Sequence, residues 1–290
     1  MTYPRVVVDL GSHTFHWVKA SGAAVETFER RGLRVALAAG LSAEGELAPE
    51  ALRRAEAALA QMKDALRGIP LAQRRVLATA TFRRLRDPAP LQARVAAYLG
   101  MPAEVLTGEE EATLIWHGVA AWRPLGEALR CTLDVGGAST ELALGSAAGL
   151  TRVLSLPLGS VTVSEAAGPA SDRPARAEAL VAKVLAEAEL SAFRVGPGAC
   201  LATGGSVLSA QALAGAQGLH GNQVSLSFLD GLWRQLRSHG GLAPAGLPAG
   251  RGAVVLGELA LLRGLLRALG QSLLPVVPGA LADGALRTRF

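Results

Sequence analysis

The sequence predicts an α/β protein that consists of two duplicated domains. Two segments share one pattern, in which an apolar strand ends in an aspartate that is followed by an apolar residue, glycine and hydroxyl side chains; these segments contain Asp9 and Asp134. A second pair of similar segments, around Thr79 and Thr203, recurs at nearly the same spacing. Because unrelated turns would not keep a common spacing, the two matches indicate a duplication. Strand-like and helical runs alternate along the chain, which is typical of an α/β fold.

The composition is compatible with two domains that each have a hydrophobic core. The chain has 290 residues, of which 50% are hydrophobic, and this length is sufficient for two domains of ordinary size. The net charge of +5 comes almost entirely from arginine and gives modest support for an anionic partner. There is no dense basic run of the kind that binds nucleic acid, so we expect no nucleic-acid partner.

The cysteines and the most apolar segment indicate a soluble protein. Cys131 and Cys200 lie in apolar strand-like segments and predict buried thiols in a reducing compartment. Asp9 interrupts the early apolar run, so we expect no signal peptide. Charged residues within the segment from Ala253 to Leu269 predict a core helix rather than a membrane span. We therefore expect a cytoplasmic protein with no membrane partner.

The first domain, residues 1–121, is predicted to begin with strands and to continue with alternating helices and strands. Pro49 is a suitable first residue for the first helix, because proline is favoured at that position. The predicted elements are strands within residues 5–37, a helix over 49–67, a strand over 75–79, a helix over 87–99, a strand over 103–106 and a helix over 107–121.

The second domain, residues 122–290, is predicted to repeat this plan. Its glycine-rich segments predict turns between the elements, and a loop rich in glycine, proline and alanine precedes the last helix. The predicted elements are hairpin strands around residues 132–156, a turn at 157–160, a helix over 173–192, a strand near Cys200, a turn at 203–206 that leads into a helix, a loop over 238–252, a helix over 253–269 and a short proline-rich tail.

The segment that follows Asp134 is predicted to bind phosphate and a metal ion. Gly136 and Gly137 would let backbone N–H groups approach phosphate oxygens closely. Ser139 and Thr140 add hydroxyl groups, and the acids at both ends of the segment could hold a divalent cation. The alternative is an ordinary β-hairpin, since Gly-Gly between two apolar strands is a common turn.

The run Thr107-Gly108-Glu109-Glu110-Glu111 begins the last helix of the first domain. Thr107 as N-cap places Glu110 at the third helical position, which predicts a capping box. Glu111 has no capping role and shares a helix face with Ile115 and Gly118. The pattern alone favours an exposed first-turn glutamate; the alternative is an acid that points toward the body of the domain.

Several common enzyme classes are disfavoured because their motifs are absent. The sequence has no P-loop, no Gly-x-Gly-x-x-Gly after a strand, no Gly-x-Ser-x-Gly elbow and no His-Glu-x-x-His. These absences weigh against P-loop ATPases, dinucleotide enzymes, serine hydrolases and zinc proteases of that type. The five histidines are scattered, and each is more often a packed or surface residue than a metal ligand.

Six segments, taken together, resemble the exopolyphosphatase and guanosine-pentaphosphate phosphohydrolase (Ppx/GppA) family of the actin-like ATPase superfamily. The resemblance implies two ribonuclease-H-like domains with a cleft between them, and it covers most of the chain. The segments are Val8-Asp9-Leu10-Gly11-Ser12 with Phe15-His16, Ala78-Thr79-Ala80 with Arg83, Gly108-Glu109-Glu110-Glu111-Ala112 with Leu114-Ile115, Asp134-Val135-Gly136-Gly137 with Ser139-Thr140-Glu141-Leu142, Leu156-Pro157-Leu158-Gly159-Ser160-Val161, and Thr203-Gly204-Gly205.

The resemblance also implies an activity and a set of site residues. Glu111 falls where the family has its catalytic glutamate, which would deprotonate an attacking water, and Arg83 would clamp phosphate. Asp9, Asp134 and Glu141 would organise Mg²⁺ or Mn²⁺. The implied phosphate-binding residues are Ser12, His13, Thr14, Gly136, Gly137, Ala138, Ser139, Thr140, Gly204, Gly205 and Ser206.

The implied substrate is inorganic polyphosphate, and the resemblance further implies a homodimer. Guanosine pentaphosphate is the near alternative, and a sensor that binds polyphosphate or a nucleotide without turnover is the alternative from another class. Several departures from the family pattern bear on substrate choice. They are His13-Thr14 for Asn-Ser, Ala138 for a third glycine, Thr113 for an arginine, Arg251-Gly252-Ala253 for Arg-Ala-Asp, and Val277-Pro278 for Ser-Asp.

Overall fold

The computed structural model describes residues 4–22, 26–168, 172–238 and 252–288, and these form an α/β fold in two compact units. The first unit comprises Met1–Gly118 and Leu281–Phe290, and the second comprises Val119–Ala280. These units differ from the predicted ranges 1–121 and 122–290, chiefly because the C-terminal segment belongs to the first unit. Most of the predicted loop over 238–252 lies outside the described residues.

The strands and helices follow one another along the chain in the predicted alternation. The strands are β1 (Arg5–Leu10), β2 (Thr14–Ser21), β3 (Glu26–Arg34), β4 (Arg74–Ala78), β5 (Glu104–Val105), β6 (Arg130–Val135), β7 (Thr140–Ser146), β8 (Gly149–Leu156), β9 (Cys200–Thr203), β10 (Gln223–Ser225) and β11 (Leu273–Pro275). The α-helices are α1 (Pro49–Ala65), α2 (Ala80–Arg83), α3 (Ala89–Leu99), α4 (Gly108–Trp122), α5 (Ser160–Ala166), α6 (Arg173–Glu187), α7 (Gly205–Ala216), α8 (Leu226–Ser238), α9 (Val255–Ala268) and α10 (Leu281–Ala285).

The two main sheets share an arrangement of four strands, which confirms the predicted duplication of an α/β unit. The first sheet has the order β3-β2-β1-β4-β5, and the second has the order β8-β7-β6-β9. In each, three antiparallel strands are followed by a strand that runs parallel to the first of them. Asp9 and Asp134 occupy the same position, one residue before the end of β1 and of β6.

Alternation along β1 separates the two faces of the first sheet. Val6, Val8 and Leu10 point to one face because side chains alternate along a strand, and they join the buried core that includes residues of α1 and α3. Helix α1 begins at the predicted proline, Pro49, and buries a stripe of small and apolar side chains. Asp9 therefore lies on the opposite face from this core.

The C-terminal helix α10 packs within the first unit, a feature that the sequence analysis missed. A Cβ atom on Gly284 would lie 1.8 Å from the carbonyl oxygen of Leu114, so α10 and α4 are in backbone contact. Arg30 on β3 donates to the buried Asp283 at 2.6 Å. These contacts explain why the segment predicted as a proline-rich tail of the second domain belongs to the first unit.

Helix α9 is the central helix of the second unit. Its 14 residues are buried along almost their whole length and include Glu258 and Arg263. This burial within the core confirms the prediction of a core helix. Among the described residues, no helix combines the length and apolar character needed to cross a membrane. The two cysteines, Cys131 and Cys200, are buried as free thiols on neighbouring strands, as predicted.

Four short or amphipathic helices were not predicted: α2, α5, α8 and α10. Helix α2 has four residues and α10 has five, too few to establish a 3.6-residue period. Helix α6 ends at Glu187, earlier than the predicted residue 192, and a buried 3₁₀ turn over Leu190–Phe193 follows it. The remaining predicted helices and strands agree with the structure within a few residues.

Candidate active site

In the first unit, the turn between β1 and β2 holds four of the predicted site residues. Asp9 is the next-to-last residue of β1, Ser12 and His13 are buried in the turn, and Thr14 begins β2. The turn is tight, since a Cβ on Gly11 would lie 2.8 Å from the carbonyl oxygen of Thr14. The Ser12 and His13 carbonyls accept hydrogen bonds from the backbone amides of residues 35, 36 and 38 at 2.8 to 2.9 Å. These carbonyls therefore face the protein and not an anion.

The hydroxyl group of Ser12 has a buried partner that the sequence analysis did not identify. Thr81 on α2 donates to Ser12 Oγ at 2.8 Å, and neither side chain is more than 6% exposed. Since Thr81 supplies the proton in this contact, the hydroxyl proton of Ser12 is available for another acceptor. Thr81 lies between two residues of a recognised segment, Thr79 and Arg83, and this position was the signal that could have identified it.

Glu111 is buried, so the exposed position that the helical pattern favoured is wrong. The residue is 7% exposed at the start of α4, and its Oε2 accepts a hydrogen bond from Arg83 Nη1 at 2.7 Å. The same Nη1 donates to the carbonyl of Leu106 at 2.8 Å. Burial raises the pKa of Glu111, while the charge and the hydrogen bond of Arg83 lower it; the net effect of these influences is a raised pKa.

The neighbouring glutamates of α4 have structural positions. The Thr107 amide donates to Glu110 Oε2 at 2.8 Å, and the Glu110 amide donates to Thr107 Oγ1 at 3.1 Å, which confirms the predicted capping box. Glu109 and Glu110 are exposed. Glu111 is thus the one of these three adjacent acids that is directed into the first unit.

His16 is the cross-strand neighbour of Asp9 and corresponds to Glu141 in the second unit. His16 pairs with Asp9 in the β1–β2 register, as Glu141 pairs with Asp134 in the β6–β7 register. The ring of His16 lies against Gly32, where a Cβ would be 2.8 Å from Cδ2. Burial, together with the positive charge of Arg30, lowers the pKa of His16 from 6.5 to about 4. His16 is therefore neutral at neutral pH.

In the second unit, the turn after Asp134 is fixed by the start of α5. The Gly136 carbonyl accepts from the Ser160 amide, and the Gly137 carbonyl accepts from the Val161 amide, both at 2.9 Å. A Cβ on Gly159 would lie 2.3 Å from the Ala138 amide nitrogen, so only glycine fits there. The predicted hairpin and the predicted glycine turn are thus the same feature, with its carbonyls directed toward α5.

Thr140, one of the two hydroxyl residues of this turn, has a structural partner. Thr140 is fully buried, and its Oγ1 donates to the Leu158 carbonyl at 2.6 Å. Because a hydroxyl has a single proton, Thr140 has none left to donate to a phosphate oxygen, and its side chain serves to hold the turn. Ser139 and Ala138 are also buried, at 5% and 2% exposure.

Asp134 and Glu141 form a carboxylate pair on one face of the second sheet. They are directly opposite each other on β6 and β7, and opposed side chains on neighbouring strands lie close together. Ser155 on β8 is opposite Glu141 and donates to its Oε1 at 2.8 Å. Ser155 was not among the predicted site residues, although its register opposite Glu141 on the neighbouring strand could have indicated it.

Asp134 also lies against the loop that begins α7. Gly204 has a φ of +90°, and a Cβ there would lie 2.0 Å from Asp134 Oδ1. Gly205 and Ser206 form the first turn of α7, and Ser206 is buried. The amino-terminal end of a helix carries a partial positive charge, so this loop presents backbone N–H groups beside the carboxylate of Asp134. The structure thus brings Asp134, Glu141 and Gly204 together within the second unit.

The oxygen donors of the second unit fit a magnesium ion. Mg²⁺ in proteins usually retains several waters and is bound by only one or two carboxylates, and the Asp134–Glu141 pair is such a donor set. Within the described parts of the chain, no three His, Cys, Asp or Glu side chains are grouped so that they could hold a metal ion. Asp9, the third predicted ligand, lies in the first unit.

Comparisons with known proteins identify the family. The model of the Ppx/GppA phosphatase family matches residues 18–289. The chain belongs to this family. Its fold is similar to that of an exopolyphosphatase from Cytophaga hutchinsonii ATCC 33406, with 20% identity, a TM-score of 0.84 and coverage of 98% of this chain and 97% of that chain.

Two further solved structures share the fold of this family member. An exopolyphosphatase-like protein is 21% identical, with a TM-score of 0.81 and coverage of 98% of both chains. A Ppx/GppA family member from Aquifex aeolicus is 21% identical, with a TM-score of 0.74 and coverage of 98% of this chain and 96% of that chain. At this level of identity, the similarity shows the fold alone.

Three departures of this family member from the family pattern can be located in the structure. Thr113 donates to the Glu109 carbonyl within α4 at 2.7 Å, so its hydroxyl serves the helix. The Val277 amide donates to the Ala202 carbonyl at 2.9 Å, which extends the pairing of β9. In the departure at residues 251–253, Gly252 and Ala253 are exposed, while Arg251 lies outside the described residues.

Proposed function

We propose that this chain is a cytoplasmic, homodimeric exopolyphosphatase that hydrolyses the terminal phosphoanhydride bond of inorganic polyphosphate. Membership of the Ppx/GppA phosphatase family supports a phosphatase activity. The observation that supports this chemistry most directly is the buried Glu111, whose carboxylate is held by Arg83. A buried carboxylate with a raised pKa, fixed by a specific charged partner, is a good candidate for a general base.

In the proposed reaction, Glu111 acts on the attacking water. The water oxygen forms a bond to the terminal phosphorus, and the bond from that phosphorus to the bridging oxygen breaks, with its electron pair remaining on the leaving polyphosphate. The proton of the water moves to the Glu111 carboxylate. Glu111 must therefore be ionised before each turnover, so activity should fall as the pH decreases through its pKa.

The other site residues would bind and orient the phosphate groups. The hydroxyls of Ser12 and Ser139 and the backbone amides of residues 137–138 and 204–206 would donate to phosphate oxygens. Nε and Nη2 of Arg83 would add charge-assisted hydrogen bonds. Asp134 and Glu141 would hold Mg²⁺ or Mn²⁺, which when bound supplies charge neutralisation at the phosphates.

Guanosine pentaphosphate is the second candidate substrate, since it ends in the same phosphoanhydride group. The test measures phosphate release from long polyphosphate, short polyphosphate and guanosine pentaphosphate, each with Mg²⁺, with Mn²⁺ and with a chelator. We expect the highest kcat/KM on polyphosphate and a loss of activity in the chelator. A higher kcat/KM on guanosine pentaphosphate would reassign the substrate, and binding of polyphosphate without phosphate release would indicate a sensor.

The adjacent glutamates of α4 provide matched controls. Glu111→Gln should lower kcat by about 10²- to 10⁴-fold, the usual contribution of a general base. Glu110→Gln and Glu109→Gln change the same residue type on the same helix at exposed positions, so kcat should remain within about twofold of the wild type. An equal effect of all three substitutions would refute the role of Glu111.

A further inference from the structure

Helix α2 is a single turn that contacts two separate parts of the first unit. It follows β4 directly, and Thr79 precedes its first residue, Ala80. Thr81 and Arg83 are two residues apart, so their side chains point to different sides of the turn. Thr81 is fully buried, whereas Arg83 is partly exposed.

One side of α2 contacts the turn between β1 and β2. Thr81 Oγ1 donates to Ser12 Oγ at 2.8 Å. The two residues are far apart in sequence, and the hydrogen bond between them is buried. A hydroxyl can rotate to suit any nearby acceptor unless a partner fixes it. By occupying an acceptor site of Ser12, Thr81 limits the directions in which the Ser12 proton can point.

The other side of α2 contacts the start of α4. Arg83 Nη1 donates both to Glu111 Oε2 and to the Leu106 carbonyl. The Leu106 amide in turn donates to the Ala78 carbonyl at the end of β4, at 2.9 Å. The guanidinium group is therefore anchored to Leu106, two residues before α4, while it holds the Glu111 carboxylate within α4.

We propose that α2 is a positioning element, which fixes the Ser12 hydroxyl through Thr81 and the Glu111 carboxylate through Arg83. This inference rests on the proposed function, in which Ser12 binds phosphate and Glu111 activates water. A single helical turn then sets the distance between the Ser12 hydroxyl, which binds phosphate, and the Glu111 carboxylate, which deprotonates water. In this proposal, Thr81 and Arg83 Nη1 do not contact the substrate; they hold Ser12 and Glu111, which do.

The charges near Glu111 make the Arg83 contact measurable. Arg83 on α2 is the charged group that lowers the pKa of Glu111, in opposition to burial. On its own helix, Glu109 and Glu110 are exposed, and Glu110 is engaged in the capping box. Loss of the Arg83 charge should therefore raise the pKa of Glu111 further, because burial would then act without opposition.

The first experiment follows Glu111 directly, without any substrate. Glutamate carboxyl carbons are labelled with ¹³C, and the Glu111 signal is assigned by its absence in Glu111→Gln. We expect the pKa of Glu111 to be higher in Arg83→Gln than in the wild type, with Arg83→Lys between them. Arg94→Gln is the matched control, because Arg94 forms a similar pair with Glu56 on α1. An unchanged pKa of Glu111 in Arg83→Gln would overturn the inference.

The second experiment measures phosphate release. Thr81→Val keeps the side-chain shape but removes the donor to Ser12, so KM should rise about fivefold, the effect of one neutral hydrogen bond. The pH profile of kcat should not change, and Thr81→Ser should restore KM. Thr151→Val on β8 removes a hydroxyl that donates to the Leu144 carbonyl and should leave KM unchanged.

The outcomes separate this inference from the proposed function. In Arg83→Gln, the acidic limb of the kcat profile should move to higher pH along with the titration of Glu111. If the KM of Thr81→Val equals that of Thr151→Val, Thr81 does not position Ser12 for phosphate binding, and that part of the proposal is refuted. If the wild type releases no phosphate, the proposed function fails, while the ¹³C titration still decides whether Arg83 positions and tunes Glu111.

Discussion

The glycine at residue 204 is expected to be indispensable, because its backbone conformation and its contact with Asp134 both exclude a side chain. Gly204 has φ +90° and ψ 166°, a region that is essentially restricted to glycine and costs another residue about 1 to 3 kcal/mol. A Cβ there would also lie 2.0 Å from Asp134 Oδ1. A side chain forced into such a packed position typically lowers the free energy of unfolding by a further amount of about 1 to 3 kcal/mol.

We therefore expect Gly204→Ala to lower the free energy of unfolding by about 2 to 6 kcal/mol. The measurement is equilibrium unfolding in urea, followed by far-UV circular dichroism. Gly218→Ala is the matched control: Gly218 has a φ of +78°, but a Cβ there would meet no atom within 4 Å. That control should lose only the backbone contribution of about 1 to 2 kcal/mol.

A double-mutant cycle isolates the contact with the carboxylate. In the Asp134→Ala background, the obstructing oxygen is gone, so Gly204→Ala should cost less than it does in the wild type, with a coupling of at least about 1 kcal/mol. A Gly204→Ala variant that is no less stable than Gly218→Ala, or a cycle without coupling, would refute the close contact between Asp134 and the loop before α7.

Two further predictions concern the sheets of the two units. The pKa of His16 is lowered to about 4 in the folded protein, so its contribution to stability is present above pH 6.5 and is lost as the pH falls toward 4. In urea titrations at several pH values, His16→Gln should therefore remove up to about 3 kcal/mol of this loss of stability in acid. The control substitution at an exposed position, His117→Gln, should leave the loss unchanged. Ser155→Ala removes the hydrogen bond to Glu141 Oε1 and should lower the free energy of unfolding by about 1 to 3 kcal/mol. The control, Ser21→Ala at the exposed end of β2, should change it by less than about 0.5 kcal/mol. Equal effects of the two serine substitutions would contradict the assigned contact.

The duplication and the acidic strand ends could be predicted from the sequence because both are local patterns. Asp9 and Asp134 each end an apolar run before glycine, and a strand of that kind needs no long-range information to be recognised. The matching strand orders of the two sheets confirm this reading. The capping box of Thr107 and Glu110 was predictable for the same reason, since both partners lie within one helical turn.

The contacts around the candidate site residues of each unit are long-range and could not be predicted from local patterns. The helical pattern favoured an exposed first-turn position for Glu111, but its carboxylate is buried and accepts a hydrogen bond from Arg83, which lies after a different strand. Thr140 looked like a phosphate donor, but its proton is directed to Leu158 beyond the next strand. The position of α10 depends on its packing against α4, which no periodicity in five residues can indicate.

The most direct test of the central claim is the origin of the oxygen in the released phosphate. Polyphosphate is hydrolysed in H₂¹⁸O with Mg²⁺, and the phosphate is analysed by mass spectrometry for the wild type and for Glu111→Gln. We predict one ¹⁸O atom per phosphate released by the wild type, and a Glu111→Gln protein that still binds polyphosphate but releases phosphate at least about 10²-fold more slowly. Release without ¹⁸O, or an unchanged rate in Glu111→Gln, would contradict the account that Glu111 activates water.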